Sequence, residues 1–202
     1  MVKKLQALRA KKGFTLVELI VVIAIIGVLA AILIPTLSAQ ITKSKVTSAD
    51  STAKELMQSI NTWFADDVTA GGNEKVAMDI NITDNKGTVT VSAVAVAAGR
   101  AEEATDLLAK ATNNPETLKA RLEKEYSTAT FAAKVFVNSN GDAVGCVYQE
   151  GTTTMTADAP TWDNFKAGTM TWKSDKKVGV TPKGAIVGTQ PKLTHAAAAA
   201  AS

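Results

Sequence analysis

Between Phe14 and Pro35 the chain reads FTLVELIVVIAIIGVLAAILIP, with Glu18 as its one charged residue. A helix rises 1.5 Å per residue and a hydrocarbon core takes about 20 residues to cross, so this run is long enough to span a bilayer. The flank before it holds Lys3, Lys4, Arg9, Lys11 and Lys12 and no acid. Basic residues are retained on the cytoplasmic side, so a single crossing is expected, N-terminus in and everything after Pro35 out.

Glu18 is the feature that a plain membrane anchor leaves without a purpose, because an ionisable side chain in a lipid-facing helix costs free energy and calls for a partner. Snorkelling toward the headgroups is one outlet, since Glu18 lies near the start of the run. A secretory signal peptide is a second reading, but its apolar core is shorter, and the nearest cleavage candidate, Leu37-Ser38-Ala39 before Gln40, has a large residue at its first position.

Lys12-Gly13-Phe14-Thr15-Leu16-Val17-Glu18 places a basic leader ending in Gly before an aromatic, then Thr-Leu-Val-Glu at the head of an apolar helix. This arrangement resembles the class III signal of type IV pilins and of the pseudopilins of type II secretion. The resemblance covers Lys11 to Pro35 and says little about residues 70 to 202. It implies that a membrane prepilin peptidase cuts between Gly13 and Phe14 on the cytoplasmic face and methylates the new amine of Phe14. It implies further that Glu18 pairs with the N-terminal amine of a neighbouring subunit during assembly. The cut removes five positive charges from the chain and creates one cation at the membrane edge. A desolvated carboxylate whose partner arrives only with correct docking penalises wrong register.

Past Pro35 the pattern turns amphipathic. Leu37, Ile41, Ala49, Ala53, Leu56, Met57, Ile60 and Phe64 recur at three- and four-residue spacing, while Lys43, Lys45, Asp50, Lys54 and Glu55 take other faces. One helix from Phe14 to Phe64 is expected, roughly 75 Å long at 1.5 Å per residue, ended by Gly71-Gly72. Gly27 and Pro35 weaken it from within. Membrane helices tolerate both residue types; by the resemblance, the Gly27 to Pro35 segment can instead loosen as a helix-melting segment inside a fibre.

The remainder predicts an α+β head. Val76 to Ile82 and Val89 to Val96 alternate around Asp84-Asn85-Lys86-Gly87, and Phe131 to Val137 and Ala143 to Gln149 flank a turn containing Asn140-Gly141; both read as hairpins. Between them, Ala101 to Ala111 reads as a helix, and a second is expected from an Asn114 cap with Pro115 at its first position through Tyr126. Met170 to Lys173 and Val178 to Val180 are candidate short strands. The expected architecture is a long N-terminal helix, transmembrane in its first half, packed on an antiparallel sheet with a two-helix insertion, as in pilins. Its expected divisions are a leader at 1–13, a membrane or fibre-core helix at 14–35, an amphipathic half at 36–70, a head at 71–185, and a flexible or expression-derived tail at 186–202, where His195 precedes six alanines.

Composition narrows the functions. The net charge of +3 becomes −2 once the five leader charges are gone, so basicity makes no case for nucleic acid. A single Cys146 excludes an intrachain disulfide, and a single His195 leaves no His-centred triad or multi-His metal site. Cys146, between Val144 and Tyr148, reads as a buried apolar residue. The Asp84 and Asn138–Asp142 turns do not follow the alternating-acid calcium loop, and turn chemistry accounts for both. Three Trp, two Tyr and five Phe weaken a case for a carbohydrate platform. No nucleophile–base or acid pair stands out, so an enzyme is not expected, nor a cofactor or metal. The reading that follows is a structural subunit that self-assembles into a helical homopolymer, held in the cytoplasmic membrane before assembly and extracellular after it. An assembly platform and an ATPase motor would come from other proteins. The rival readings are a pseudopilin of a secretion or DNA-uptake machine and a low-copy adhesin at a fibre tip.

Overall fold

A computed structural model describes residues 14–69, 77–94, 96, 108, 116–170, 179 and 185–195. It divides into two units, residues 1–43 and 44–202, which are taken separately below. Helix α1, Leu16–Thr69, runs through both. Leader residues 1–13 lie outside the described residues, as do Gly71-Gly72.

In the head unit, the amphipathic spacing does what it predicts. Ala49, Ala53, Leu56, Ile60 and Trp63 are buried against the sheet. That sheet consists of β1 (Met78–Asn85), β2 (Thr88–Val94), β3 (Thr130–Val137), β4 (Ala143–Glu150) and β6 (Val187–Gln190). Its order is β2-β1-β3-β4-β6, and every neighbouring pair is antiparallel. Strand alternation selects the face: Ile80, Ile82, Phe131, Ala133, Val135, Cys146 and Tyr148 join the helix in one core. On the opposite face Phe136, Val147 and Val187 form a second, smaller cluster under Met155, Ala159 and Phe165. Burial on both faces explains why β3 and β4 read as nearly continuous apolar runs.

Both hairpins form where the turn residues demand. Asn85 pairs with Thr88, so Lys86 and Gly87 make a two-residue turn, and both have positive φ, 53° and 87°. A Cβ on Gly87 would also run into the carbonyl of Ser127. Asp84 Oδ1 accepts from the Gly87 amide at 2.8 Å. In the second turn Asn138 Oδ1 accepts from the amides of Asn140 and Asp142, each at 2.9 Å. The oxygens that superficially suggest cation ligands are thus holding their own turns.

Helix α2 covers Leu118–Glu125, and its cap is Thr117, whose hydroxyl accepts from the Ala120 amide at 3.1 Å. The expected cap at Asn114 is corrected by three residues: Thr117 stands one residue before the first buried leucine, Leu118, and offers its oxygen to the free amide three residues on. Asn114, Pro115 and most of the expected 101–111 helix lie outside the described residues; Leu108 is buried in the core. Arg121 of α2 reaches Asp66 at 2.9 Å and Glu125 at 3.3 Å, and Ser59 donates to Glu125 at 2.7 Å, tying α2 to α1. Helix α3, Trp162–Ala167, was not expected from the sequence; Asn164 Oδ1 accepts from the Thr161 amide at its start, and Gly168 ends it in the left-handed region.

Residues 186–195, expected as the start of a flexible or expression-derived tail, are instead part of the fold, and residues 196–202 lie outside the described residues. β6 completes the sheet beside β4, Leu193 is buried, and β7 (Thr194–His195) pairs in parallel with β5 (Thr169–Met170). Residues 171–173 of the expected 170–173 strand, and Val178 and Val180, lie outside the described residues. The physical reason for the order is a close approach that only glycine permits. At Gly188 a Cβ would run into the backbone of Ala49, and at Gly179 (φ +83°) it would meet Val46. Beside this contact the Thr189 amide donates to Asp50 at 2.9 Å, and Lys192 lies 3.4 Å from the same carboxylate. Asn61 completes the helix-to-sheet attachment, exchanging bonds of 2.7 and 3.2 Å with the backbone of Ala143.

Two outcomes are expected. Gly188→Ala has only backbone to push against at Ala49, so denaturant unfolding of the full chain in detergent should show a loss of about 1–3 kcal/mol, the range for overpacking. Burial pushes the Cys146 thiol up, well out of the thiolate range at neutral pH. Cys146 should therefore resist iodoacetamide in the folded protein and react fully in denaturant, by mass spectrometry.

Candidate functional site

The N-terminal unit has a single described element, residues 16–43 of α1, and its large apolar side chains are uncovered among the described residues. Seventeen large apolar residues from Phe14 to Ile41 are exposed, from 76% at Phe14 to 44% at Val22. They lie on every side of the helix, and an all-round apolar surface belongs to a helix surrounded by lipid or by other helices. Among the described residues this is the one helix long and apolar enough to cross a membrane. A β-branched-rich sequence such as IVVIAII would lean toward strand by intrinsic preference. It is helical here because a lone segment in an apolar surrounding must satisfy its backbone internally.

Glu18 is the third residue of this helix, and it has a partner that the expectation of an intersubunit pair overlooks. Its Oε2 accepts from the Thr15 amide at 2.9 Å and from the Thr15 hydroxyl at 2.7 Å, and the Glu18 amide donates back to the Thr15 hydroxyl at 3.2 Å. Thr15-Leu16-Val17-Glu18 is a capping box, which satisfies two otherwise orphaned amides. The Thr-x-x-Glu signal stands in the sequence and is legible there. All three contacts use Oε2 or the amide; Oε1 has no hydrogen bond among the described residues. A carboxylate in the first turn also meets the positive end of the helix dipole.

Gly27 and Pro35 both lie within unbroken helix. Nothing approaches the open side of Gly27. Pro35 cannot donate to the carbonyl of Ala31 four residues earlier, and beside this gap the Thr36 hydroxyl donates to the carbonyls of Leu33, at 2.8 Å, and Ile32, at 3.3 Å. The expected weak points are thus present as a missing backbone bond and an unprotected glycine, in a helix that holds through them. Gly13 lies outside the described residues, and Phe14 precedes the helix with its ring exposed.

Residues 8–34 match the family model described as the prokaryotic N-terminal methylation motif. The chain is 37% identical over 91 residues, 45% of its length, to the type IV major fimbrial protein FimA of Dichelobacter nodosus. It is 32% identical over 91 residues, again 45% of its length, to PilA4, the type IV wide pilus major component of Thermus thermophilus, of which it covers 70%. Over 40 residues, 20% of its length, it is 58% identical to the type IV major alpha-pilin of Moraxella bovis, 25% of that protein. It spans 58% of FimA and 36% of the fimbrial protein of Moraxella nonliquefaciens, so likeness to these relatives is partial. No solved structure matches the chain.

The capping box makes a local prediction. Thr15→Val keeps the volume and removes the hydroxyl, so hydrogen exchange in micelles should quicken at the amide of Glu18 and leave the amides of Ile60 and Trp63 unchanged.

Proposed function

Because the chain belongs to the type IV pilin family, we propose that it is the structural subunit of a type IV pilus. It is cut after Gly13, carries an N-methylated Phe14, and assembles through its N-terminal helix into a helical homopolymer on the cell surface. The observation that carries this reading is the combination of a motif matched over residues 8–34 with a helix whose apolar side chains are exposed on all sides from Phe14 to Ile41. Such a surface needs a second medium. Before assembly that medium is the cytoplasmic membrane, crossed once with the N-terminus inside; after assembly it is the helices of neighbouring copies. Moving from one to the other exchanges one apolar environment for another, so extraction is not opposed by exposing the whole sleeve to water.

Glu18 then serves both states. In the single chain its Oε2 is occupied by Thr15, which keeps the carboxylate hydrogen-bonded and ends the helix cleanly. Oε1 is left for the amine of Phe14 from an adjacent subunit, and a subunit docked out of register leaves that pair unmade. The cut after Gly13 is what creates the amine, so processing by prepilin peptidase and assembly are coupled through one ion pair. Gly27 and Pro35 allow the helix between them to lengthen by local melting when the fibre is loaded. The sequence has no phosphate-binding loop of the GxxxxGK[ST] kind, which assigns the mechanical work to a separate ATPase acting through an assembly platform. A non-enzymatic role in adhesion, motility or DNA uptake follows from the fibre.

Mass spectrometry of sheared surface filaments should give a chain beginning at N-methylated Phe14; a chain beginning at Met1 or at Gln40 would sink the reading. Glu18→Ala should insert in the membrane and be processed as the parent is, yet yield at least tenfold less filament. Normal filament yield from that variant would remove Glu18 from assembly.

A further inference from the structure

The head contains a cleft to whose lining α1 contributes no residue. Its floor is the sheet face opposite α1, where Asp79, Asn81 and Thr83 of β1 stand beside Lys134 of β3. Its roof is the segment after β4, held down where Met155 and Ala159 pack on Phe136 and Val147. The volume between them is about 720 Å³, within the range of sites that enclose a small ligand.

Three observations leave this floor open to an occupant. None of the side chains of Asp79, Asn81, Thr83 and Lys134 makes a hydrogen bond or ion pair among the described residues, although all four are half-buried. A polar sheet face is commonplace where water covers it, and half-buried polar groups without protein partners are available to a ligand. The Asp79 carboxyl is pushed up by loss of hydration, an effect that nearby Lys134 only partly offsets. At the rim stands Trp162, 37% exposed, its ring 5.7 Å from that of Phe136 and supported by it. It is the one large aromatic exposed among the described residues of the head.

The lining also restricts the ligand. β1 and β3 are interior strands with both edges paired, so there is no free backbone edge for an extended peptide to extend. One cation and one carboxylate on the floor, with no cluster of arginines or lysines, do not suit a phosphate or a nucleic acid. An amide, a hydroxyl, a carboxylate and an ammonium together supply donors and acceptors of both kinds for a ring of hydroxyl groups. Trp162, Met155 and Pro160 supply apolar area for the C–H face of such a ring.

We propose that this cleft binds a neutral oligosaccharide, with Asp79, Asn81, Thr83 and Lys134 taking its hydroxyls and Trp162 stacking on one ring. The site is independent of the pilus reading, since nothing in it requires cleavage or assembly; in a surface fibre it would make every subunit a weak glycan receptor, additive by multivalency.

The test uses the full chain in a sugar-free detergent on an array bearing lactose, N-acetyllactosamine, maltose and N,N′-diacetylchitobiose, beside sialylated and sulfated counterparts. Retention on at least one neutral glycan is expected, reduced at least tenfold by Asp79→Asn and by Trp162→Ala, and only in part by Trp162→Phe. Asp79→Asn should at the same time hold or raise the melting temperature, because it removes a partly desolvated carboxylate; a merely structural Asp79 would lower it. Protection of Cys146 from iodoacetamide reports that each variant is folded. Retention on no neutral glycan, retention confined to the acidic ones, or retention indifferent to both variants overturns the proposal.

Discussion

The structure depends on an unmet hydrophobic demand: the exposed apolar residues from Phe14 to Ile41 have no cover among the described residues. At roughly 25 cal/mol for each Å² of apolar surface, leaving such an area in water is prohibitive against a folding free energy of 5–15 kcal/mol. The segment must therefore be in lipid or among other helices, and its backbone must be helical in either. The one charged group on this sleeve, Glu18, stands with Thr15 at its end, where the helix has amides that need acceptors.

The head meets the opposite problem, since it has water on its outside and must make its own core. The same helix provides one wall of that core through residues 49–64, and the sheet provides the other. What fastens the two is a set of contacts on which a small residue or a backbone group is decisive. Gly188 lets β6 come against the backbone at Ala49, Asp50 receives the Thr189 amide, and Asn61 pairs with Ala143 as a strand would. A chain end that reads as low complexity is thus required to close the sheet. The same arrangement covers the second face of β3 and β4, and where that cover is incomplete it leaves the cleft over Asp79 and Lys134.

Glu18 and Asp79 show how carboxylates acquire different roles from surroundings alone. Glu18 sits at the start of a helix with Oε2 bonded to Thr15 and Oε1 without a hydrogen bond among the described residues, an arrangement suited to a cationic partner. Asp79 sits half-covered with no hydrogen bond among the described residues, and loss of hydration, only partly offset by Lys134, disfavours the ion and suits it to a ligand that brings its own hydroxyls. The apolar sleeve, with its seventeen large exposed side chains, and the exposed aromatic at the cleft rim divide the labour likewise, one for assembly and the other for recognition.

Much of this was legible from local pattern. The apolar length, the single carboxylate and the basic leader specify the N-terminal segment; period-two alternation and the Lys86-Gly87 and Asn140-Gly141 turns specify both hairpins, because side-chain direction and positive φ are properties of neighbouring residues. Thr15-x-x-Glu18 was equally local and shows that a resemblance pointing to a partner in another chain can draw attention from one three residues away. The α2 cap moved from Asn114 to Thr117 because several residues can cap and only the docking of Leu118 and Leu122 on the core chooses among them. β6, the glycine contact at Ala49 and the cleft under Trp162 were decided by tertiary structure alone. Each joins residues more than twenty positions apart, such as Asp50 with Thr189 or Lys134 with Trp162, and composition counts three tryptophans without saying which of them stands at the rim of a cleft.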